Sequence, residues 1–192
     1  MTDRCGWVGL EPIYVEYHDT DWGVPEWDSR ALWEKLILDG FQAGLSWITI
    51  LKKRDNFREA FAGFDPNIIA TWGEAEIEVL LQNVGIIRHR GKIEATINNA
   101  RVWQRIEQEQ GFDNFLWSYV DHQALQPKYE TQADVPTSTP LSTEISKELK
   151  KRGFKFCGPT IVYAFMEAVG MVNDHLVTCP CHDACAKLAV RK

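Results

Sequence analysis

The chain has 192 residues, 45% of them hydrophobic and 25% charged, enough for one core or two small lobes that share one. Five cysteines, an odd number, argue against a disulfide framework and leave metal binding or buried thiols, while a net charge of −6 disfavours indiscriminate binding to polyanions. The opening stretch MTDRCGW has no basic and apolar leader, and no apolar run approaches the ~18 residues of a membrane span, so a cytoplasmic protein with no membrane partner is expected.

The signals along the chain are almost all helical. Asp28 or Ser29 opens a helix that Gly40 is expected to close. Leu32, Leu36 and Asp39 fall on one face of it at i, i+4 and i+7, with Trp33 and Ile37 on the adjoining row. Asp39, within LDGFQAGLSW, therefore points inward, where a carboxylate needs a reason. Either it caps the next helix by accepting N–H bonds around Ala43, or it lines a pocket and receives a ligand's hydrogen bonds or charge. Asp55 is expected to open a helix whose Phe57 and Phe61 share a face before Gly63. Asp65 followed by Pro66 is an N-cap with proline in the first turn. A helix over about Glu74 to Asn83, the turn VGIIRH (Val84 to His89) and a long helix bearing Ile93, Ile97, Ala100 and Ile106 give the order helix, hairpin, helix. Asp121 to Pro136 has the composition of a surface connection. Thr139 and Pro140 lead a helix ending at Gly153, and Gly158 and Pro159 lead the apolar helix Thr160 to Val169. No repeat, low-complexity tract or sustained alternation interrupts this all-α pattern.

Three basic stretches stand out in an acidic chain: IIRHRGKI with Arg101 and Arg105, KELKKRGFK, and Lys52 to Arg54. Any one of them alone reads as a solvated helix face. A hairpin with Gly85 in its turn and Arg88, Arg90 and Lys92 around it also suits a DNA backbone, because a turn leading into a helix presents backbone N–H groups to phosphate. A second signal joins the chain ends. His175 and Cys179 stand at i and i+4, and with Cys5 and His18 they make a Cys2His2 set, although CPCHDAC offers Cys181, His182 and Cys185 as rivals. Four protein ligands would make the metal structural; three would leave room for a reactive water. The third signal is aromatic. Among eight tryptophans, Trp33, Trp72, Trp103 and Trp117 are expected in the core, while Trp7, Tyr14, Tyr17, Trp22 and Trp47 lie near candidate ligands or Asp39. Such a cluster around an inward carboxylate would hold a flat, cationic ring at roughly 0.5–2 kcal/mol per good contact.

RCGW, YHDTDWGVP, QAGLSWIT, VGIIRHRGKI, LKKRGFKF and NDH, collinear from about residue 3 to 180, resemble the 3-methyladenine DNA glycosylase I family. The resemblance implies a helix-hairpin-helix glycosylase fold in a single domain over 1–192. A lobe with the hairpin (about 28–120) would be joined to a zinc lobe (about 1–27 with 137–192). It further implies a monofunctional repair enzyme that flips out N3-methylated adenine from double-stranded DNA and hydrolyses the base–sugar bond, acting as a monomer. Cys5, His18, His175 and Cys179 would hold one structural zinc ion. Tyr17, Asp39 and Trp47 would form the base pocket, with Trp7, Tyr14 and Trp22 as further walls and Asp39 as the catalytic charge. Gly44 and Leu45, in a turn-prone stretch after Ala43, would join Gly85, Arg88, Arg90 and Lys92 on the DNA face, Leu45 filling the vacated gap. The family carries glutamate where this chain has Asp39. Two other classes are set against this expectation: a zinc hydrolase using His18 and His175 around an open metal, and an inert DNA-binding module, which needs no inward carboxylate among aromatic rings.

Overall fold

The computed structural model describes residues 4–191, so the first three residues of MTDRCGW lie outside the described residues. Among the described residues eleven α-helices follow in chain order. They are α1 (Pro12–Thr20), α2 (Ser29–Gln42), α3 (Trp47–Leu51), α4 (Arg54–Ala60), α5 (Pro66–Ile69), α6 (Glu74–Gln82), α7 (Arg90–Gln110), α8 (Phe112–Trp117), α9 (Pro140–Arg152), α10 (Pro159–Ala168) and α11 (Pro180–Ala186). Among the described residues no strand forms beyond two isolated bridges, Gln123 with Val190 and Leu125 with Val172.

Local chemistry sets most helix starts. The Asp28 side chain accepts from the backbone N–H groups of Arg30 and Ala31, Asp65 accepts from Asn67, and Thr139 exchanges hydrogen bonds with Ser142. Gly153, in the left-handed region at φ 107°, ends α9 as expected. Two expected boundaries move. Gly40 does not close α2, which runs on to Gln42; Gly40 is buried there, and a Cβ on it would lie 3.3 Å from the Phe156 carbonyl oxygen, so this glycine serves a close approach inside the helix. Asp55 does not open α4 either: Lys53 is the N-cap, and Asp55 sits in the first turn, where its charge favours the positive helix end.

The central helix α7 is covered by α2, α5, α6 and α8, and α10 packs on α9 and α2. Phe57 and Phe61 share a buried face as expected, stacking beside Phe41 and Phe64. Trp33, Trp103 and Trp117 are buried, and Trp72 packs half-buried against the same core. A smaller apolar cluster gathers Cys5, Val8, Tyr17, Trp22, Leu51, Ala168, Leu176 and Cys179. The stretch from Asp121 to Pro136 is more than a surface connection. Ala124 is buried, and backbone bonds from Ala124 to Ala189, from Leu125 to Met171 and from Val177 to Tyr129 strap the C-terminal segment onto the helices.

Candidate functional site

The inward carboxylate is where its spacing put it. Asp39 is 1% exposed, and its Oδ1 lies 2.6 Å from the Lys35 ammonium one turn earlier on α2. The capping alternative does not form: the Ala43 N–H donates to the Gly40 carbonyl instead. Asp39 Oδ2 is buried and has no hydrogen-bond partner among the described residues, and the same holds for the indole Nε1 of Trp47. Lys35 also stands 3.8 Å from the centroid of the Trp47 ring. Burial raises the Asp39 carboxyl above its ordinary range and lowers the Lys35 ammonium, while each partner's charge opposes the other's shift.

Asp39 opens onto a cavity of about 230 Å³, and every aromatic residue singled out from the sequence lines it: Trp7, Tyr14, Tyr17, Trp22 and Trp47. Trp7 meets Tyr14 and Trp22 edge-on at 5.0 Å between centroids, and Tyr17 leans on Trp47 at 5.4 Å. Helix α1, which periodicity did not reveal, brings Tyr14 and Tyr17 to this wall. Sequence reasoning also missed Lys35 and Glu167 in the lining. Both carried a signal: Lys35 stands at i−4 from the flagged aspartate, and Glu167 is an acid inside the apolar helix α10, as Asp39 is on α2. Burial first, and then the neighbouring Asp174, push the Glu167 carboxyl well above the usual range. Asp174 in turn accepts a 2.6 Å hydrogen bond from the Tyr163 hydroxyl.

Behind Trp22 the two chain ends meet. The ligand atoms of Cys5, His18, His175 and Cys179 all lie within 4.8 Å of one another, and all four residues are buried. Cys179 Sγ is 3.6 Å from His18 Nε2 and 3.5 Å from His175 Nδ1, and Cys5 Sγ is 3.7 Å from His175 Nδ1. A tetrahedral metal with bonds of ~2.0–2.3 Å sets neighbouring ligand atoms ~3.3–3.8 Å apart, so the donor set and its spacing fit a metal ion. The outer ring nitrogens are oriented too: His18 Nδ1 meets the Asp19 carboxylate at 2.8 Å and His175 Nε2 donates to the Trp22 carbonyl at 3.0 Å. Hydrogen bonding from Cys5 and both imidazoles holds the Cys179 thiol far below its usual range, and the same coupling raises Cys5. Gly23 is obligatory beside this cluster, with φ 80° and a Cβ position only 2.8 Å from His175 Nε2. Of the rivals, Cys181 is half-exposed and its thiol lies within 4.8 Å of ligand atoms of His18 and Asp19, a second donor group that shares His18 with the first; His182 pairs with Asp183, and Cys185 is buried and outside both groups.

Most cations of the hairpin stretch and of Lys52 to Arg54 have partners within the chain, though only Lys92 is buried. Lys92, expected on the DNA face, is 7% exposed; its ammonium donates to the carbonyls of Phe41 (2.8 Å) and Ala43 (2.6 Å), closing the last turn of α2. Arg90 pairs with Glu74, Glu78 and Glu94, so it fastens α7 to α6. Lys52 pairs with Glu11 and Arg54 with Asp21, while Lys53 donates to the carbonyls of Val84 and Gly85, fixing the hairpin turn. Arg101 donates to the carbonyls of Ala70 and Trp72 and Arg105 to that of Arg152. Arg88 remains exposed at the hairpin, with no ion-pair partner among the described residues. Because Lys92 ties Ala43 to α7, the turn carrying Gly44 and the 40%-exposed Leu45 is held beside that hairpin. Phe156, 38% exposed, joins the same side through Gly40 and a 6.3 Å edge contact with His89.

Known proteins share this architecture and sequence. A family model described as methyladenine glycosylase matches residues 7–182. The chain is 54% identical over 181 residues to DNA-3-methyladenine glycosylase 1 of Escherichia coli, covering 94% of this chain and 97% of that one. A crystal structure of 3-methyladenine DNA glycosylase I aligns with a TM-score of 0.92 at 56% identity, over 94% of this chain and 100% of the other. A second, the Staphylococcus aureus 3-methyladenine DNA glycosylase I solved to explain 3-methyladenine recognition, aligns with a TM-score of 0.91 at 42% identity, over 93% and 96%. The matched span takes in the whole aromatic cavity with its inward carboxylate and three of the four cluster residues, and the chain belongs to the methyladenine glycosylase family.

Proposed function

We propose that this protein is a monofunctional DNA glycosylase that extracts 3-methyladenine from alkylated double-stranded DNA and hydrolyses its bond to the sugar. The observation that carries this reading is the buried, half-satisfied carboxylate of Asp39 opening onto a cavity walled by five aromatic side chains. Methylation at N3 makes the base a cation, so it departs neutral and needs no proton from the enzyme. What the enzyme must do is unstack the nucleotide, which costs a few kcal/mol and less at a lesion, and hold it while water attacks the sugar. Tyr17 and Trp47 offer stacking surface, with Trp7, Tyr14 and Trp22 closing the cavity around them. Asp39 Oδ2 offers an acceptor for the exocyclic amine and a negative charge near the cationic transition state. Nothing in the cavity requires a covalent intermediate.

The DNA face in this reading is Leu45 and Gly44 beside Gly85 and Arg88, with Leu45 as the wedge that fills the vacated gap and Arg88 as a phosphate contact. Arg90 and Lys92 act behind it by fixing the helices that carry it. The metal in this reading is one zinc ion held by Cys5, His18, His175 and Cys179; when bound it supplies structure, because four protein ligands close a tetrahedral shell. That closure also weighs against a zinc hydrolase. Zinc would clip residues 1–27 to the segment 137–192 as one lobe beside the hairpin lobe 28–120, and hold the Trp22 wall through His18 and His175. The free cysteines suit the reducing cytoplasm, and a single copy of the chain suffices for the site. Incubation with methylated duplex DNA followed by chromatography of released bases tests the proposal: free 3-methyladenine is expected, with strand breaks appearing only after alkali. An enzyme that binds the duplex and releases no base refutes it in favour of an inert binding module.

A further inference from the structure

The ammonium of Lys35 touches two groups of the base pocket, lying 2.6 Å from Asp39 Oδ1 and 3.8 Å from the centroid of the Trp47 ring. It meets the carboxylate on one side only. Asp39 Oδ1 is taken, whereas Oδ2 is buried with no hydrogen-bond partner among the described residues, and the carboxylate and the lysine it holds stand side by side as an acceptor and a donor in the lining of the same cavity. The Hoogsteen edge of adenine is the complement of that pair, since N6 carries hydrogens to give and N7 carries a lone pair to receive one.

Resting on the glycosylase reading above, we infer that Lys35 is a specificity-determining residue of the base pocket: it donates to N7 of the flipped base while Asp39 Oδ2 accepts from the 6-amino group. The lysine stays in place when the base enters, because the base leaves as a neutral molecule and an Asp39 without Lys35 would then be a buried charge with no counter-ion. The ammonium also favours the reaction's direction. As the glycosidic bond breaks, positive charge moves from the base to the sugar, so the contact between Lys35 and N7 improves toward the transition state. A 6-oxo purine would face Asp39 Oδ2 with an acceptor and is disfavoured by the same pair.

The test compares binding of free 3-methyladenine with that of 3-methyl-7-deazaadenine, in which N7 is a C–H, followed by tryptophan fluorescence. The wild-type protein is expected to bind the deaza base at least about tenfold more weakly, the effect of losing one hydrogen bond from a charged donor. Lys35→Met should bind both bases equally and weakly, and release 3-methyladenine from DNA more slowly in a single turnover. Equal affinities in the wild type overturn the inference, as does tighter binding of 3-methyladenine by Lys35→Met, which would make the lysine a plug in the base's place. If Lys35→Met fails to fold, the wild-type comparison decides alone. A wild-type protein that releases 3-methyladenine but ignores N7 refutes only the role of Lys35; one that neither releases nor binds the base refutes the glycosylase reading as well.

Discussion

Lys92→Met separates a helix-closing lysine from a phosphate-binding one. Methionine keeps the length and the apolar stem of a side chain that is 7% exposed, and removes an ammonium whose two bonds, 2.8 and 2.6 Å, end on the carbonyls of Phe41 and Ala43. Hydrogen bonds to a charged group are worth ~1.5–3 kcal/mol each. Burial already lowers the Lys92 pKa, which marks a desolvation penalty that offsets part of this, and water near the protein surface can replace some of the lost donors. A net loss of about 2–3 kcal/mol follows, which for a chain of this length lowers the melting temperature by ~4–12 °C. The same variant should leave the slope of log affinity against log salt on undamaged duplex unchanged, whereas Arg88→Ala should reduce it by ~0.9 with no change in melting. The assays are a thermal melt beside a salt titration of duplex binding for both variants. A Lys92→Met protein that melts like the wild type and loses salt dependence would return Lys92 to the DNA surface and refute the helix-closing role.

Cys5→Ala and Cys179→Ala should each lose bound metal, melt lower and bind 3-methyladenine more weakly through the loosened Trp22 wall, while Cys185→Ser retains the ion by metal analysis; structural zinc contributes ~10–16 kcal/mol in isolated zinc peptides, so the drop should be large. Asp39→Asn removes a charged acceptor worth ~1.5–3 kcal/mol, so single-turnover excision should fall ~10–100-fold. It should also lower the melting temperature, because the half-buried Lys35 loses its charge partner, whereas Asp39→Glu should preserve the melting temperature and most of the excision. The Arg4 guanidinium beside Asp19 holds that carboxyl down at about 2, below its unfolded value, so its contribution to stability is complete above about pH 4 and lost as the pH falls toward 2. Acid melts of Asp19→Asn should therefore be flatter than those of the wild type across that window.

Much of this architecture was legible along the chain because helix starts and stops are local chemistry. Asp28, Asp65 with Pro66, and Thr139 with Pro140 each supply an acceptor or a fixed φ within a few residues of the N–H groups they serve, and Gly153 supplies the left-handed end of α9. Gly40 and Asp55 misled for the same reason in reverse: a glycine can serve a close approach to Phe156 as well as a helix end, and only the packing tells which. Asp39 was found because a charge on an apolar stripe is anomalous at i, i+4, i+7 spacing, and the aromatic residues flagged beside it do converge on one cavity.

What a basic side chain does, by contrast, depends on what the fold brings within ~3 Å of its tip, and a long flexible stem gives no local sign of it. The sequence marked Arg88, Arg90 and Lys92 alike. Tertiary structure divided them into an exposed cation, a tie to three glutamates on α6 and α7, and a buried donor closing α2 from 49 residues away. Likewise the cysteine and histidine types at the two chain ends announced candidate metal donors, but that Cys5, His18, His175 and Cys179 come within 4.8 Å of one another depends on α1 and the segment before α11 being set against each other. Chain chemistry determined the longer helices and which residues are anomalous; the short helices α1, α3, α8 and α11, and which anomalies come together, were decided by long-range packing, because hydrogen bonds and ligand distances act over ångströms in space and carry no trace in residue number.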